Sequence, residues 1–300
     1  MNIVKNAARA VTSSGKATAG AIILLFFAIL AIVPGLIAHD DPTAEAYTRN
    51  LGPSIHHLFG TTGTGQDIFA QVVYGTRDVL AIAFGAGLAS TVIAAIIGVA
   101  AAYLGGWTEA VLNLFTDVVL VIPLFPLLIV IAAYLHNSGT VTMIAVLAFT
   151  NWSYTARQLR AQALSVKTRD FLAAARVRGE RAAYIIAVEI LPTMSSLLVA
   201  AFLTNALYDV LFASSLQFVG LGDPSSVSWG TMLYWAQNNE ALQAGYYLQV
   251  IVPGAAIALL GAGFALLNYA FDEIGNPALR PVRTSRRPLP RLAVRGLRRA

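Results

Sequence analysis

Five stretches of the chain contain no Asp, Glu, Lys or Arg: residues 17 to 38, 79 to 108, 118 to 156, 190 to 208 and 241 to 271. Each is close to or above the roughly 20 apolar residues that a helix needs to cross a bilayer. The third runs 39 residues, too many for one crossing at about 1.5 Å of rise per residue. His136-Asn137-Ser138-Gly139 supplies a turn signal inside it. Divided there, the pattern predicts six spans, at 18 to 38, 79 to 104, 110 to 135, 139 to 158, 193 to 216 and 247 to 271. These segments are apolar nearly all round rather than along one stripe, which argues against the buried helices of a soluble domain.

Composition agrees. Hydrophobic residues make up 57% and charged residues 12%, against an ordinary soluble content of about 25% charged, and the mean hydropathy is +0.67. Lys5, Arg9 and Lys16 precede the first apolar stretch as in a secretory signal. That stretch exceeds the roughly 7 to 15 residues of a signal core and no A-x-A site ends it, so a retained anchor is expected. The chain has no cysteine, which excludes disulfides and thiolate metal sites. The four histidines, His39, His56, His57 and His136, form no H-E-x-x-H pair, and His56 and His57 are expected in a solvated loop. No G-x-x-x-x-G-K-[ST] phosphate loop occurs. The chain is therefore expected to hold no ATP, cofactor or metal and to carry no catalytic residue of its own.

The basic residues orient the spans. Three precede the first span, seven follow the fourth (Arg157, Arg160, Lys167, Arg169, Arg176, Arg178, Arg181) and eight arginines follow the sixth. Only Arg49 and Arg77 lie elsewhere, in a first loop that also holds Asp40, Asp41, Glu45, Asp67 and Asp78. Six spans place every cluster on one side, which the positive-inside rule makes cytoplasmic. The organisation expected is a cytoplasmic N-terminus at 1–17, a first span at 18–38 and an extracytoplasmic loop at 39–78. A core at 79–271 follows, with a cytoplasmic loop at 159–192 and an extracytoplasmic loop at 217–246, and then a basic cytoplasmic tail at 272–300. The tail reads as a topology determinant with some lipid contact, not as a nucleic-acid site.

In the cytoplasmic loop, Thr168 to Gly179 reads as a short helix, with Thr168 as N-cap, Asp170 in the first turn and Gly179 at the end. A second short helix fits 181 to 190, and Pro192 favours a break before the fifth span. Ala173, Ala174 and Ala175 leave one turn nearly bare, so that another backbone or a groove can approach closely. Ala174-Ala175-x-x-x-Gly179, followed by Leu191-Pro192, is similar to the E-A-A-x3-G-x9-I-x-L-P signature of binding-protein-dependent ABC importers. Ala173 stands where the signature has Glu, and Glu189 where it has Ile.

Further motifs narrow the resemblance to permeases of the dipeptide/oligopeptide type. Gly60 to Asp67, continuing through Tyr74-Gly75-Thr76-Arg77 to Leu80, resembles their G-T-D-x-x-G-R-D... Y-G-A-R-x-S-L segment. Phe218 to Gly222 with Ser228-Trp229-Gly230-x-Met232-Leu233 resembles F-L-G-L-G... S-W-G-x-M-L; Asp117 with Pro123 matches D-x5-P; and Asn276-Pro277-x-x-Arg280 resembles a closing D-P-x-x-R. The resemblance implies an all-α type I ABC importer permease fold with a coupling-helix hairpin, in the inner (cytoplasmic) membrane of a bacterium or archaeon. It implies as partners a sister permease forming a heterodimer, two ATPase subunits that hold ATP and Mg, and an extracytoplasmic solute-binding protein. Ala174, Ala175, Arg176, Gly179, Leu191 and Pro192 would then meet the ATPase, while peptides or similar small solutes pass between the permeases.

Two acidic residues fall within the expected spans, where a central carboxylate costs about 2.5–3.5 kcal/mol on insertion scales. Asp209 and Asp117 are therefore candidates for the translocation pathway, with interhelical hydrogen bonding as the other reading. Asp117, with Asn113 one turn before it, favours the structural bond. Pro123 and Pro126 are expected to bend the third span. The competing function is a self-contained ion-coupled transporter with Asp209 as its ion site.

Overall fold

The computed structural model describes residues 15–135 and 139–275. The turn at His136-Asn137-Ser138, the Asn276-Pro277 motif and the basic stretches at 1–14 and 276–300 lie outside the described residues. The chain forms α1 (Gly15–Ile32), a short helix Pro34–Ile37, α2 (Ile68–Leu104), α3 (Gly106–Val121), α4 (Leu124–Tyr134), α5 (Thr140–Thr150), α6 (Ser153–Lys167) and α7 (Asp170–Val177). A broken helical stretch Ala182–Thr193 follows, then α8 (Ser195–Phe218), α9 (Trp229–Asn238) and α10 (Leu248–Gly275). Among the described residues, four helices are long and apolar enough to cross a membrane, namely α1, α2, α8 and α10. The α3/α4 pair, bent by 85°, makes a fifth if it counts as one span.

Three expected spans differ in detail, each for a local reason. The second helix begins at Ile68 rather than residue 79, because the Asp67 carboxylate caps it by accepting the Ala70 N–H at 2.7 Å. The polar residues that make this stretch look like loop are met by protein atoms: Gln71 Nε2 donates to Pro42 O at 3.2 Å and Arg77 Nε to Ala31 O at 3.1 Å. The third expected span breaks at Ile122 and Pro123, both extended. Pro126 lies in the first turn of α4, where a missing N–H forfeits no helical bond. The fourth expected span divides at Asn151 and Trp152 into α5 and α6, and the 11 residues of α5 cover only about half of a ~30 Å hydrocarbon core.

α2 is the centre of the bundle. It packs against α6, α8, α5 and α1, and α10 fills the space between α1 and α8. One apolar cluster joins Phe27, Trp229, Leu260 and Phe264 with α2 at the end that carries the long loops. A second joins Ala94, Val99, Leu159, Leu172, Ile185 and Met194 at the end that carries the hairpin. Gly98 sets the distance between α2 and α6, since a Cβ there would sit 2.3 Å from the Ala156 carbonyl oxygen. Gly98→Ala is therefore expected to lower the unfolding free energy in detergent by about 1–3 kcal/mol through overpacking. Gly254→Ala, which would meet nothing within 4 Å in α10, should be neutral or gain up to about 1 kcal/mol from helix propensity. Equal thermal midpoints for the two variants would show that the α2/α6 contact is not fixed by this glycine.

Candidate functional site

The hairpin grows directly out of α6. Thr168 closes α6, donating its hydroxyl to Ser165 O at 3.3 Å, and so is not the N-cap of the next helix, which starts after Arg169. Asp170 stands in the first turn of α7, where a carboxylate complements the helix dipole. At the far end Gly179 adopts φ +79°, its N–H bonding Arg176 O at 2.9 Å, and the Glu180 N–H bonds Ala175 O at 3.3 Å. That pair of bonds is a Schellman C-cap, which favours glycine because of the positive φ.

Leu172 and Ala175 are both fully buried and root α7 in the cluster shared with α2 and α6. Ala175 thus faces inward, which corrects the expectation that it belongs to a bare outer patch. The outward face instead carries Phe171, 39% exposed, Ala174, and Val177, 89% exposed, beside the open Gly179. Arg176 does not project freely: it donates to Lys167 O at 3.3 Å and lies over the Tyr103 ring, 5.5 Å from its centroid. Lys167 Nζ in turn donates to Ala102 O at 2.8 Å, meeting a carbonyl in the last turn of α2. Before Pro192 the chain forms a π-helical turn over Ile185–Ile190, leaving Leu191 half-buried and Pro192 exposed. Glu189 reaches across to Arg178 Nη2 at 3.5 Å.

The two acidic residues are in opposite situations. Asp209 is fully buried on α8, where Oδ1 accepts from Asn151 Nδ2 at 3.0 Å and Oδ2 has no partner. One turn away Asn205 accepts from Thr155 Oγ1 at 2.8 Å and donates to Thr91 Oγ1 at 3.0 Å. Thr91 donates to Gly87 O at 2.7 Å. A polar seam thus crosses from the α5/α6 break and α6 through α8 to α2, and it encloses Asp209 rather than opening it to a channel. Asn151, Thr155, Asn205 and Thr91 had no place in the sequence reading; the signal available was their i, i+4 spacing (151/155 and 205/209) inside apolar runs. Asp117 lies on α3 and accepts from Arg157 Nη2 at 2.5 Å, with both side chains more than half exposed. Glu109 pairs with Arg160 beside it. Asp117 therefore holds α3 to α6.

At the other end the loops 39–67 and 219–247 pack on each other. His57, expected in solvent, is buried: Nδ1 meets Asp67 Oδ1 at 2.9 Å and the ring packs on Tyr47. Asp40, His57 and Asp67 bring their ligand atoms within 4.8 Å of one another. Each is already engaged, Asp40 by the Tyr47 hydroxyl at 2.7 Å and Asp67 by the Ala70 N–H, so the cluster works as a cap for α2. Asp41 and Asp223 close turns by accepting from Thr43 and Ser225, and these hydrogen bonds hold both carboxyls below the usual carboxylate range. The Ser228-Trp229 segment starts α9 with a capping box between Ser228 and Thr231. Trp229 Nε1 donates to Val72 O at 2.9 Å. Ser228 Oγ donates to Gln217 Oε1 at 2.9 Å, Gln217 Nε2 to Asp78 Oδ2 at 3.2 Å, and Thr140 Oγ1 also donates to Asp78.

Comparison with known proteins adds an independent finding. Residues 52–280 match the model of the family described as binding-protein-dependent transport system inner membrane component. The chain is 30% identical over 287 residues to the dipeptide transport system permease protein DppC of Bacillus subtilis, covering 93% of this chain and 87% of that one. It is 28% identical over 270 residues to the oligopeptide transport system permease protein OppC of Mycobacterium tuberculosis, covering 89% and 91%.

The seam and the ion pair should respond differently to truncation. Asn151→Ala strands a fully buried carboxyl and is expected to cost about 1–2 kcal/mol of stability in detergent. Arg157→Ala leaves Asp117 in contact with water and should cost less than about 1 kcal/mol. Thermal unfolding of the two variants at equal detergent concentration checks this, and a larger loss for Arg157→Ala would refute the ranking.

Proposed function

This chain belongs to the family of inner membrane components of binding-protein-dependent transport systems, and from that premise we propose how it works as the permease subunit of a peptide-type ABC importer. Six crossings place both ends in the cytoplasm: α1, α2, the bent α3/α4 pair, α5 with the first turns of α6, α8 and α10. The seven basic residues from Arg157 to Arg181 gather at the hairpin end, which supports that end as cytoplasmic by the positive-inside rule, in the inner membrane of a bacterium or archaeon. A sister permease completes the pathway as a heterodimer. Two ATPase subunits, holding ATP and Mg, dock on the hairpin, and a solute-binding protein delivers peptide to the loops 39–67 and 219–247. ATP hydrolysis belongs to those partners.

One observation carries the coupling assignment. α7 offers Phe171, Ala174 and Val177 outward while Leu172 and Ala175 anchor it in the core that continues into α2 and α6. Residues three apart share a helix face, so the outward trio forms one apolar ridge with the open Gly179 at its end. A groove on the ATPase can grip that ridge, and its movement reaches the bundle through a packed contact. Gly179, Ala174 and Arg176 act at this joint, with Leu191 and Pro192 shaping its return limb; Ala175 serves as the anchor. The rival reading, an ion-coupled transporter complete in itself, gives way to the family membership.

Ala174→Glu adds charge and bulk to the ridge, and Gly179→Leu also strains a positive φ by about 1 kcal/mol or more. Both variants are expected to reach the membrane and to lose ATPase co-purification, or its stimulation by the loaded binding protein, by tenfold or more. Wild-type coupling in both would remove the hairpin as the contact. For topology, cysteines at the exposed Thr48 and Asn238 should react with an impermeant thiol reagent from outside intact cells, and one at Val177 only after permeabilisation. Reaction of Val177→Cys from outside would reverse the orientation.

A further inference from the structure

Near the hairpin end of the bundle, α6, α8 and α10 enclose a groove of about 510 Å³, within the range of small-ligand pockets. Gln158 and Gln162 stand one turn apart on α6, Ala200, Ala201 and Thr204 face them from α8, and Asn268 comes from α10. Gln158 and Gln162 are exposed, and the two alanines form a buried floor. Asn268 Oδ1 is buried without a hydrogen-bond partner.

Among the described residues, no charged side chain and no imidazole lines the groove. Its polar atoms belong to three carboxamides and one hydroxyl. A carboxamide offers a donor and an acceptor together, the same complement that a peptide bond presents. Hydrocarbon would leave these groups unmet, so the open amide wall needs water, a polar solute or polar groups of the sister permease against it. Among the described side chains a metal cation would find no anionic or imidazole ligand there, and a charged terminus no counter-charge. The helix ends place the groove beside the hairpin, since α6 leads into it, α8 begins just after it, and Asn268 lies in the last turns of α10.

We propose that this groove is a peptide-backbone binding surface in the hairpin-side half of the pathway, recognising neutral amide groups and indifferent to side-chain identity. The proposal rests on the import reading given above and names the chemistry of the solute that the pathway takes. Gln158 and Gln162 pair with backbone carbonyls and amides, and the alanine floor leaves side chains room to point away.

The natural absence of cysteine makes a direct test possible. Gln158→Cys, Gln162→Cys, Thr204→Cys and Asn268→Cys are introduced one at a time into the complete assembly in inside-out membranes. Modification by an impermeant methanethiosulfonate is followed as a mass increase of this chain. Phe149→Cys, 72% exposed at the end of α5 nearer the hairpin, is the lipid-facing reference and should stay unmodified. The groove cysteines are expected to react, and alanine tripeptide is expected to slow them at least fivefold while its fully N-methylated analogue does not. Equal slowing by both peptides, or by neither, would overturn backbone recognition. Groove cysteines as inert as Phe149→Cys would show a surface closed to water, by lipid or by the sister permease, and overturn the site altogether. Gln158 and Gln162, being exposed, keep the test valid if the Asn268 variant fails to fold. ATP-dependent uptake of the tripeptide by the parent assembly tests import separately: protection without uptake removes the import reading and keeps the groove, and uptake without protection does the reverse.

Discussion

Hydrocarbon offers no hydrogen-bond partner, so each polar group inside this bundle must be met by another part of the chain. The seam from Asn151 and Asp209 through Thr155, Asn205 and Thr91 to the Gly87 carbonyl follows from that constraint. Such short side chains can meet only if the helices nearly touch. Gly98, pressed against the Ala156 carbonyl, brings α2 and α6 that close. The break between α5 and α6 fits the same account, because Asn151 has left the helix at the level of Asp209 and turns its carboxamide to that carboxyl.

Because the seam and the apolar clusters converge on α2, that helix links the two ends of the molecule. At the hairpin end Lys167 and Arg176 fasten to Ala102 and Tyr103. At the loop end Trp229 and the Ser228–Gln217–Asp78–Thr140 chain fasten α9, α8 and α5 around its start. The bent α3/α4 pair is held differently, since α3 meets α6 partly through the Arg157–Asp117 and Arg160–Glu109 pairs. The Arg157–Asp117 pair is more than half exposed, and exposed ion pairs add little to stability. The hairpin, α2 and α6 thus form one stiff unit, with α3 attached to it more loosely.

Much of this was legible in the order of residues. Uncharged runs marked the long helices, and the glycine at position 179 marked a helix end that needs positive φ. Motifs spread from residue 60 to 280 carried the family. What escaped depends on partners distant in sequence. Gln71 and Arg77 looked like loop residues until Pro42 and Ala31 were placed beside them. Thr168 could cap the helix after it or close the helix before it, and only the path of α6 decides. Ala175 looked like its neighbour Ala174, yet about 100° of rotation between adjacent helical positions puts one in the core and the other in solvent. His57 was read as solvated because nothing local shows that Tyr47 and Asp67 fold over it.

The two departures from the importer signature can be understood together. Glu189, in place of isoleucine, turns toward Arg178 within the hairpin, and Ala173, in place of glutamate, is a small exposed side chain. The first adds a carboxylate on the return limb, where it is shared with an arginine, and the second removes one from the exposed surface of α7. The ridge of Phe171, Ala174 and Val177 is therefore flanked mainly by Arg169, Arg178 and Arg181, with Asp170 engaged by position at the N-terminus of α7. Charges at such a rim act mostly on the rate and selectivity of encounter, while buried apolar contact decides how long the complex lasts. On the proposed docking of an ATPase at this ridge, a partner groove matched to this chain would have an apolar floor for the ridge and acidic or carbonyl groups around it. On that docking, the loss of the signature glutamate would alter which partner fits rather than whether one can.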